Sequence, residues 1–236
     1  ASTMLLTLLA LAAIRRNDID NDRARGLETT DSPRIPDFSV LSKNRALLIT
    51  GLTLLLFHLA NAALLPMLSM RIAAAPGAIN PGLYAAATVI ISQAVMIPVA
   101  IWSVGRIDKY GYWRLIMLAL LIMPVRAALA ASTAAPWMMV PVQILDGFAA
   151  GVLGVVIPSF IVVLLRGSGH VNAGQSVVML MQGAGAAMSP ALTGMIAGHY
   201  SFATAFSVLS IIALAALLIW WRSAPTLAAS AFMPTN

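Results

Sequence analysis

Of the 236 residues, 60% are hydrophobic and only 9% charged, with a mean hydropathy of +0.91; ordinary soluble domains carry roughly 25% charged residues, so a soluble fold is set aside. A net charge of +6 would suggest nucleic acid in a soluble protein, but the bases here lie mostly in the connections between apolar stretches, where membrane topology explains them and no nucleic-acid partner is implied. The absence of cysteine excludes a disulfide framework, Cys-zinc sites and thiol catalysis.

The chain opens on an apolar stretch, Ala1 to Ile14, which as a helix would extend about 21 Å and is too short to span a bilayer comfortably. It reads as the end of a truncated transmembrane helix; a signal peptide is the competing reading, but Arg15 and Arg16 follow the apolar run instead of preceding it. From Arg15 to Asn44 the chain turns polar, with six of the eight acidic residues, six bases, Pro33 and Pro36, as expected of an aqueous linker.

Six apolar stretches follow: Arg45 to Leu65, Leu83 to Val104, Leu115 to Ala134, Met138 to Leu165, Ala173 to Ala197 and Phe202 to Trp221. Each is long enough, at ~1.5 Å rise per residue, to cross a ~30 Å hydrocarbon layer. The expected fold is therefore all-α, a polytopic membrane helical bundle of six transmembrane helices over residues 45–222, preceded by the truncated helix (1–14) and linker (15–44) and followed by a tail (223–236). The short connections Ser132 to Trp137 and Gly198 to Ser201 predict that sequential spans are antiparallel neighbours.

Twelve of the fourteen Lys and Arg residues fall on one side of this arrangement, in the linker, at Arg45, in the loop after span two, at Arg166 and at Arg222. The positive-inside rule then puts linker and tail in the cytoplasm, with the chain multi-pass in the cell (inner) membrane and the lipid bilayer as its solvent.

Asp146 is the single acidic residue inside a span, where insertion scales charge about 2.5 to 3.5 kcal/mol, so it requires a partner, a proton or water. Spans three and four turn near Pro136, with Arg126 ten residues before and Asp146 ten after, which predicts similar depth and an ion pair. Two readings stay open together: a pair that holds the spans, or a carboxylate facing a wet cavity in the substrate or proton pathway, with Arg126 engaged in one state and released in another.

In span one, His58 and Asn61 are three residues apart and share a helical face. They read as a cavity wall, or as polar groups satisfied by neighbouring backbone. Gln93, Gln143 and Gln182 place one amide each in spans two, four and five; each could be an interhelical hydrogen bond, and as a set with His58, Asn61 and Asp146 they favour a shared polar interior and a small-molecule ligand. Nothing lies at metal-ligand spacing, so no metal is expected.

Span five runs Gln182-Gly183-Ala184-Gly185 to Ser189-Pro190, and span four holds Gly147 and Gly151 in a G-x-x-x-G. Small residues let helix backbones approach closely, and Pro190 frees a carbonyl and permits bending; both point to tight packing and suggest a hinge. The loop after span two, Gly105 to Arg114, combines one acid, three bases and two glycines at a helix boundary. Asp108 there could cap a helix N-terminus or pair with a neighbouring base, or the bases could serve topology alone.

That loop, placed after a second span, resembles the loop motif of the major facilitator superfamily: Asp108, Lys109, Gly111 and Arg114 fit. Gly105 is one residue closer to Asp108 than the motif has it, and Tyr112 and Trp113 stand where bases are found, as in the weaker second copy in the C-terminal halves of such transporters. The charged linker, six spans and glycine-rich fifth span ending in Gly198-His199-Tyr200 agree. Phe57-His58-Leu59-Ala60-Asn61-Ala62-Ala63 resembles bacterial drug and small-molecule exporters. The resemblance implies that spans one, two, four and five surround a central cavity, with three and six outside, and that an N-terminal six-helix half, on the same polypeptide or a partner chain, completes it. It implies no cofactor and no enzyme activity. The expected function is secondary active transport by alternating access, with proton-coupled efflux preferred over uptake of a nutrient or metabolite. A six-span channel or ABC-type permease subunit would explain the hydropathy but not the motif loop.

Overall fold

A computed structural model describes residues 39–74 and 80–231, so the expectations for residues 1–14 and for the linker up to residue 38 lie outside the described residues. All regular structure among the described residues is helical: α1 (Ser39–Lys43), α2 (Arg45–Asn61), α3 (Leu64–Ala74), α4 (Pro81–Val104), α5 (Ile107–Ser132), a 3₁₀ turn (Pro136–Met138), α6 (Met139–Leu164), α7 (Val171–His199), α8 (Phe202–Arg222) and α9 (Ala224–Ala231).

Local chemistry sets several of these boundaries. The Asn44 side chain accepts from the Leu47 N–H at the start of α2, Asn80 caps α4 with Pro81 at its first position, and Ser201 caps α8 through the Thr204 N–H. Gly111 interrupts α5 with φ 74°, a left-handed conformation that a side chain disfavours, so the motif glycine sits where the backbone needs one. Asp108 lies in the first turn of α5, favourably placed at the helix's positive end, with no side-chain cap bond.

The first span departs from expectation. It breaks after Asn61 and resumes as α3, carrying a continuous segment to Ala74 where the sequence suggested an end at Leu65. The cause is Pro66: it has no N–H for the carbonyl four residues back, at Ala62, and its ring crowds that carbonyl. Five segments are long and apolar enough to cross a membrane, 45–74, 81–104, 107–132, 136–164 and 202–222. The sixth, α7, has 29 residues and ample length, but Asn172, Gln175, Ser176, Gln182 and its glycines dilute its hydropathy. Its crossing follows from its packing along α2.

The two short connections do join antiparallel neighbours, α5 with α6 and α7 with α8, but sequential spans are not the main contacts of the bundle. Besides the α5–α6 hairpin, the principal pairs are α4 with α6, α2 with α7, α5 with α8, and α2 with α8. Two of these are parallel, and glycine decides both. A Cβ at Gly151 would lie 2.7 Å from the Met96 carbonyl oxygen, and one at Gly147 would collide with that of Ser92, so α6 lies directly on the backbone of α4. Gly185 lies likewise on the Leu55 carbonyl, joining α7 to α2. Gly183, placed by sequence in the same stripe, has open space before it and takes no part in that contact.

The core, including Leu54, Phe57, Ile116, Phe160, Phe206 and Trp220, is shared by α2, α5, α6 and α8. Trp113 and Trp220 exchange hydrogen bonds, each indole N–H donating to the other's carbonyl, at 3.5 and 3.1 Å. The tail is not wholly a loose end: α9 docks on the bundle with Leu227 buried, and Leu41 of α1 is buried at the same core. Outward faces of α4, α5 and α8 are apolar, with Ile90, Ile101, Leu121 and Ile211 exposed, as a lipid-facing surface requires.

Candidate functional site

Three helices, α2, α6 and α7, surround a cavity of about 330 Å³. Its walls combine Phe57, His58 and Asn61 of α2 with Asp146, Leu153, Ile157 and Ile161 of α6 and Gln175, Val178, Met179 and Gln182 of α7. The polar groups His58, Asn61 and Asp146 gather toward one end, because α2 and α6 run in opposite directions and the C-terminal half of α2 meets the N-terminal half of α6. The aliphatic residues of α6 form most of the remaining wall.

Four helices converge behind that polar end. Arg126 of α5 is 2% exposed and its Nη1 lies 2.6 Å from Asp146 Oδ1 of α6. The same nitrogen donates to Asn61 Oδ1 at the end of α2 and lies 3.7 Å from Met123 Sδ. Ser92 of α4 donates from Oγ to Asp146 Oδ2 at 2.7 Å. Both carboxylate oxygens are thus engaged, and the two hydrogens of Nη1 have one oxygen each. Such charge-assisted bonds in a water-poor interior are stronger than neutral ones.

The depth argument from the Pro136 turn therefore places Arg126 and Asp146 in direct contact. Of the remaining predicted residues, His58, Asn61 and Gln182 join Asp146 at the cavity. Gln93 does not: it is exposed on α4 and does not line the cavity. Gln143 is fully buried and off the cavity, on the face of α6 that continues to Gly147 and packs on α4; neither amide atom has a hydrogen-bond partner among the described residues. Sequence reasoning missed Ser92 and Gln175. A serine in an apolar span carries little signal, and only its position facing Gly147 marks it.

His58 packs edge-on against Phe57, ring centroids 5.3 Å apart, and its imidazole has no hydrogen-bond partner among the described residues, which leaves it available to a cavity occupant. The described residues hold no cluster of metal-ligating side chains.

Comparison with known proteins agrees with this architecture. Residues 43–208 match the MFS_1 like family. Uncharacterized MFS-type transporters from two strains of Mycobacterium tuberculosis are each 30% identical over 228 residues, covering 95% of this chain and 54% of their own length. The chain thus spans about half the length of the curated relatives it matches. A crystal structure of a mutant peptide transporter POT in complex with alafosfalin superposes with a TM-score of 0.69 over 92% of this chain and 44% of that one. Identity there is 16%, so that likeness is one of fold. With the family match extending over most of the helical bundle, this multi-pass membrane chain belongs to the MFS_1 like family.

Proposed function

We propose that this chain forms one half of a secondary active transporter that moves a small molecule by alternating access, exporting it against a proton gradient. The observation that carries the reading is the cavity between α2, α6 and α7, with a buried ion pair against its polar end. A carboxylate kept in a membrane interior at such cost is a functional feature by default. Here it is also 17% exposed toward the cavity, so an occupant or a proton can reach it.

Family membership and the relatives' greater length support a second six-helix half facing this cavity, since a substrate site between two repeats is enclosed by both. In this reading Asp146, His58, Asn61 and Gln182 belong to the substrate or proton pathway, Arg126 is the ion-pair partner, and both ends of the chain are cytoplasmic. The apolar wall of Leu153, Ile157, Ile161, Val178 and Met179 beside a polar end suits an amphiphilic compound.

The test uses the native gene product that contains this chain, in inside-out membrane vesicles incubated with a series of lipophilic fluorescent dyes in the external medium. Uptake driven by an imposed proton gradient, abolished by an uncoupler, is the expected result. Gradient-driven movement in the reverse sense would establish uptake in place of efflux, and ionic conductance or an ATP requirement would overturn the transporter reading.

A further inference from the structure

The interruption of the first span is bracketed by side chains from two other helices. On one side of it, Asn61 Oδ1, at the last residue of α2, accepts from Arg126 Nη1 of α5. On the other, the Ala63 N–H donates to Ser189 Oγ of α7 at 3.0 Å. That N–H would serve the Leu59 carbonyl four residues back if α2 continued; at the break Ser189 satisfies it instead. The break is therefore a built feature with its own hydrogen bonds, made by residues distant in sequence.

Beyond the break, α3 has one polar tie to the rest of the bundle among the described residues. Arg71 Nη1 donates to the Ala130 carbonyl near the C-terminus of α5 at 2.7 Å, and its guanidinium lies 5.0 Å from the centre of the Phe206 ring of α8. A rigid short helix thus has a defined pivot at Ala62–Ala63 and a latch at its far end. The pivot shares an atom with the charge pair, because Arg126 Nη1 carries two hydrogens, one for Asp146 Oδ1 and one for Asn61 Oδ1.

We propose that Asn61 and Ser189 are positioning residues that couple the Arg126–Asp146 pair to the orientation of α3. While the carboxylate is charged and unoccupied, Arg126 is fixed between it and Asn61, and α3 lies against α4 and α8 with Arg71 reaching the Ala130 carbonyl of α5. When a proton or a ligand group takes up the charge of Asp146, Nη1 loses the carboxylate that fixes it, its bond to Asn61 is no longer held in this geometry, and α3 swings about Ala62–Ala63. Occupancy of the cavity is thereby transmitted to a helix that the occupant does not touch. The coupling is a property of this fold; its use in alternating access rests on the transporter reading.

The chain has no cysteine, which makes paired spin labels direct. Met70→Cys on α3 and Trp137→Cys at the α5–α6 turn are both exposed, at 56% and 65%. Pulsed EPR distances between them are measured in the full native gene product in lipid nanodiscs, with any cysteine elsewhere in it replaced. Asp146→Asn, which removes the charge, and Asn61→Leu, which removes the acceptor, are each expected to raise a second distance population roughly five- to tenfold, the scale of one ordinary buried hydrogen bond. The double variant is expected to do no more than either alone. Ser189→Ala should broaden the distribution and Ser189→Thr, which keeps the hydroxyl, should restore it.

An unchanged distribution in Asn61→Leu, or additive effects of Asn61→Leu and Asp146→Asn, would overturn the coupling. Asn61→Ala carries the same expectation if the leucine variant does not reach the membrane. Because the distances are read without transport, coupled distances in a protein that fails the vesicle assay would leave the coupling standing and remove the transporter reading.

Discussion

Arg126 and Asp146 lie ten residues before and ten after Pro136, and this symmetry about the turn brings guanidinium and carboxylate to 2.6 Å. Their environments differ. Arg126 is 2% exposed behind the cavity, while Asp146 is 17% exposed at its wall, so losing one partner is not equivalent to losing the other.

Asp146→Ala is expected to destabilise the bundle more than Arg126→Ala. The first leaves a guanidinium uncompensated in the interior, at about 3 to 5 kcal/mol; the second leaves a carboxylate that still holds Ser92 and reaches the cavity. Thermal unfolding of the purified variants in one detergent checks the order. Equal losses would mean that Asp146 is as dry as its partner.

Asp146→Asn retains an acceptor for Arg126 and the side-chain shape. Membrane abundance is therefore expected to fall little while transport falls at least tenfold, by quantitative immunoblot beside the vesicle assay. A parallel loss of abundance and transport would make the residue structural.

His58 has the one cavity-lining side chain whose unperturbed titration falls near pH 5 to 8. If it handles the proton, His58→Ala changes the pH profile of transport beyond a uniform scaling. A profile of unaltered shape would remove His58 from the proton pathway.

Glycine substitutions should separate packing from open space. Gly185→Ala or Gly147→Ala drives a methyl into a backbone carbonyl and is expected to cost about 1 to 3 kcal/mol or more. Gly183→Ala meets nothing within 4 Å and should be neutral or stabilising by about 0.5 to 1 kcal/mol. Denaturant titrations of the three variants give the comparison, and an equal cost at Gly183 would reveal another helix packed over that face.

Gly111→Ala forces a side chain into a conformation with φ 74°, at a cost of about 1 to 2 kcal/mol. The corresponding change at Gly105, where φ is −70°, is expected to be nearly silent. Unfolding midpoints of the two variants test whether Gly111 is the motif position that the backbone requires.

The span ends were largely legible because crossing a bilayer imposes length and apolarity directly on the sequence; α6 and α8 fall within a residue of expectation. The Arg126–Asp146 contact was legible for a related reason, since one tight turn converts equal sequence offsets into equal depth. Asp146, His58, Asn61 and Gln182 could be singled out because polar groups are conspicuous in apolar helices. Gln93 and Gln143 were equally conspicuous, but an amide does not announce which side of its helix meets a cavity.

By itself, then, the sequence determined that this chain is a helical membrane bundle, where most of its spans lie, and which two charges meet. Only the tertiary structure decided which helices are partners: Gly147 and Gly151 admit the backbone of α4, and Gly185 that of α2, so contacts between parallel, non-sequential helices outweigh chain adjacency. It also decided that the first span breaks at Ala62–Ala63 and that Ser189, Asn61 and Arg126 meet there. A proline can weaken a helix from within, but the donors and acceptors that make a break stable come from other helices, and hydropathy holds no record of them.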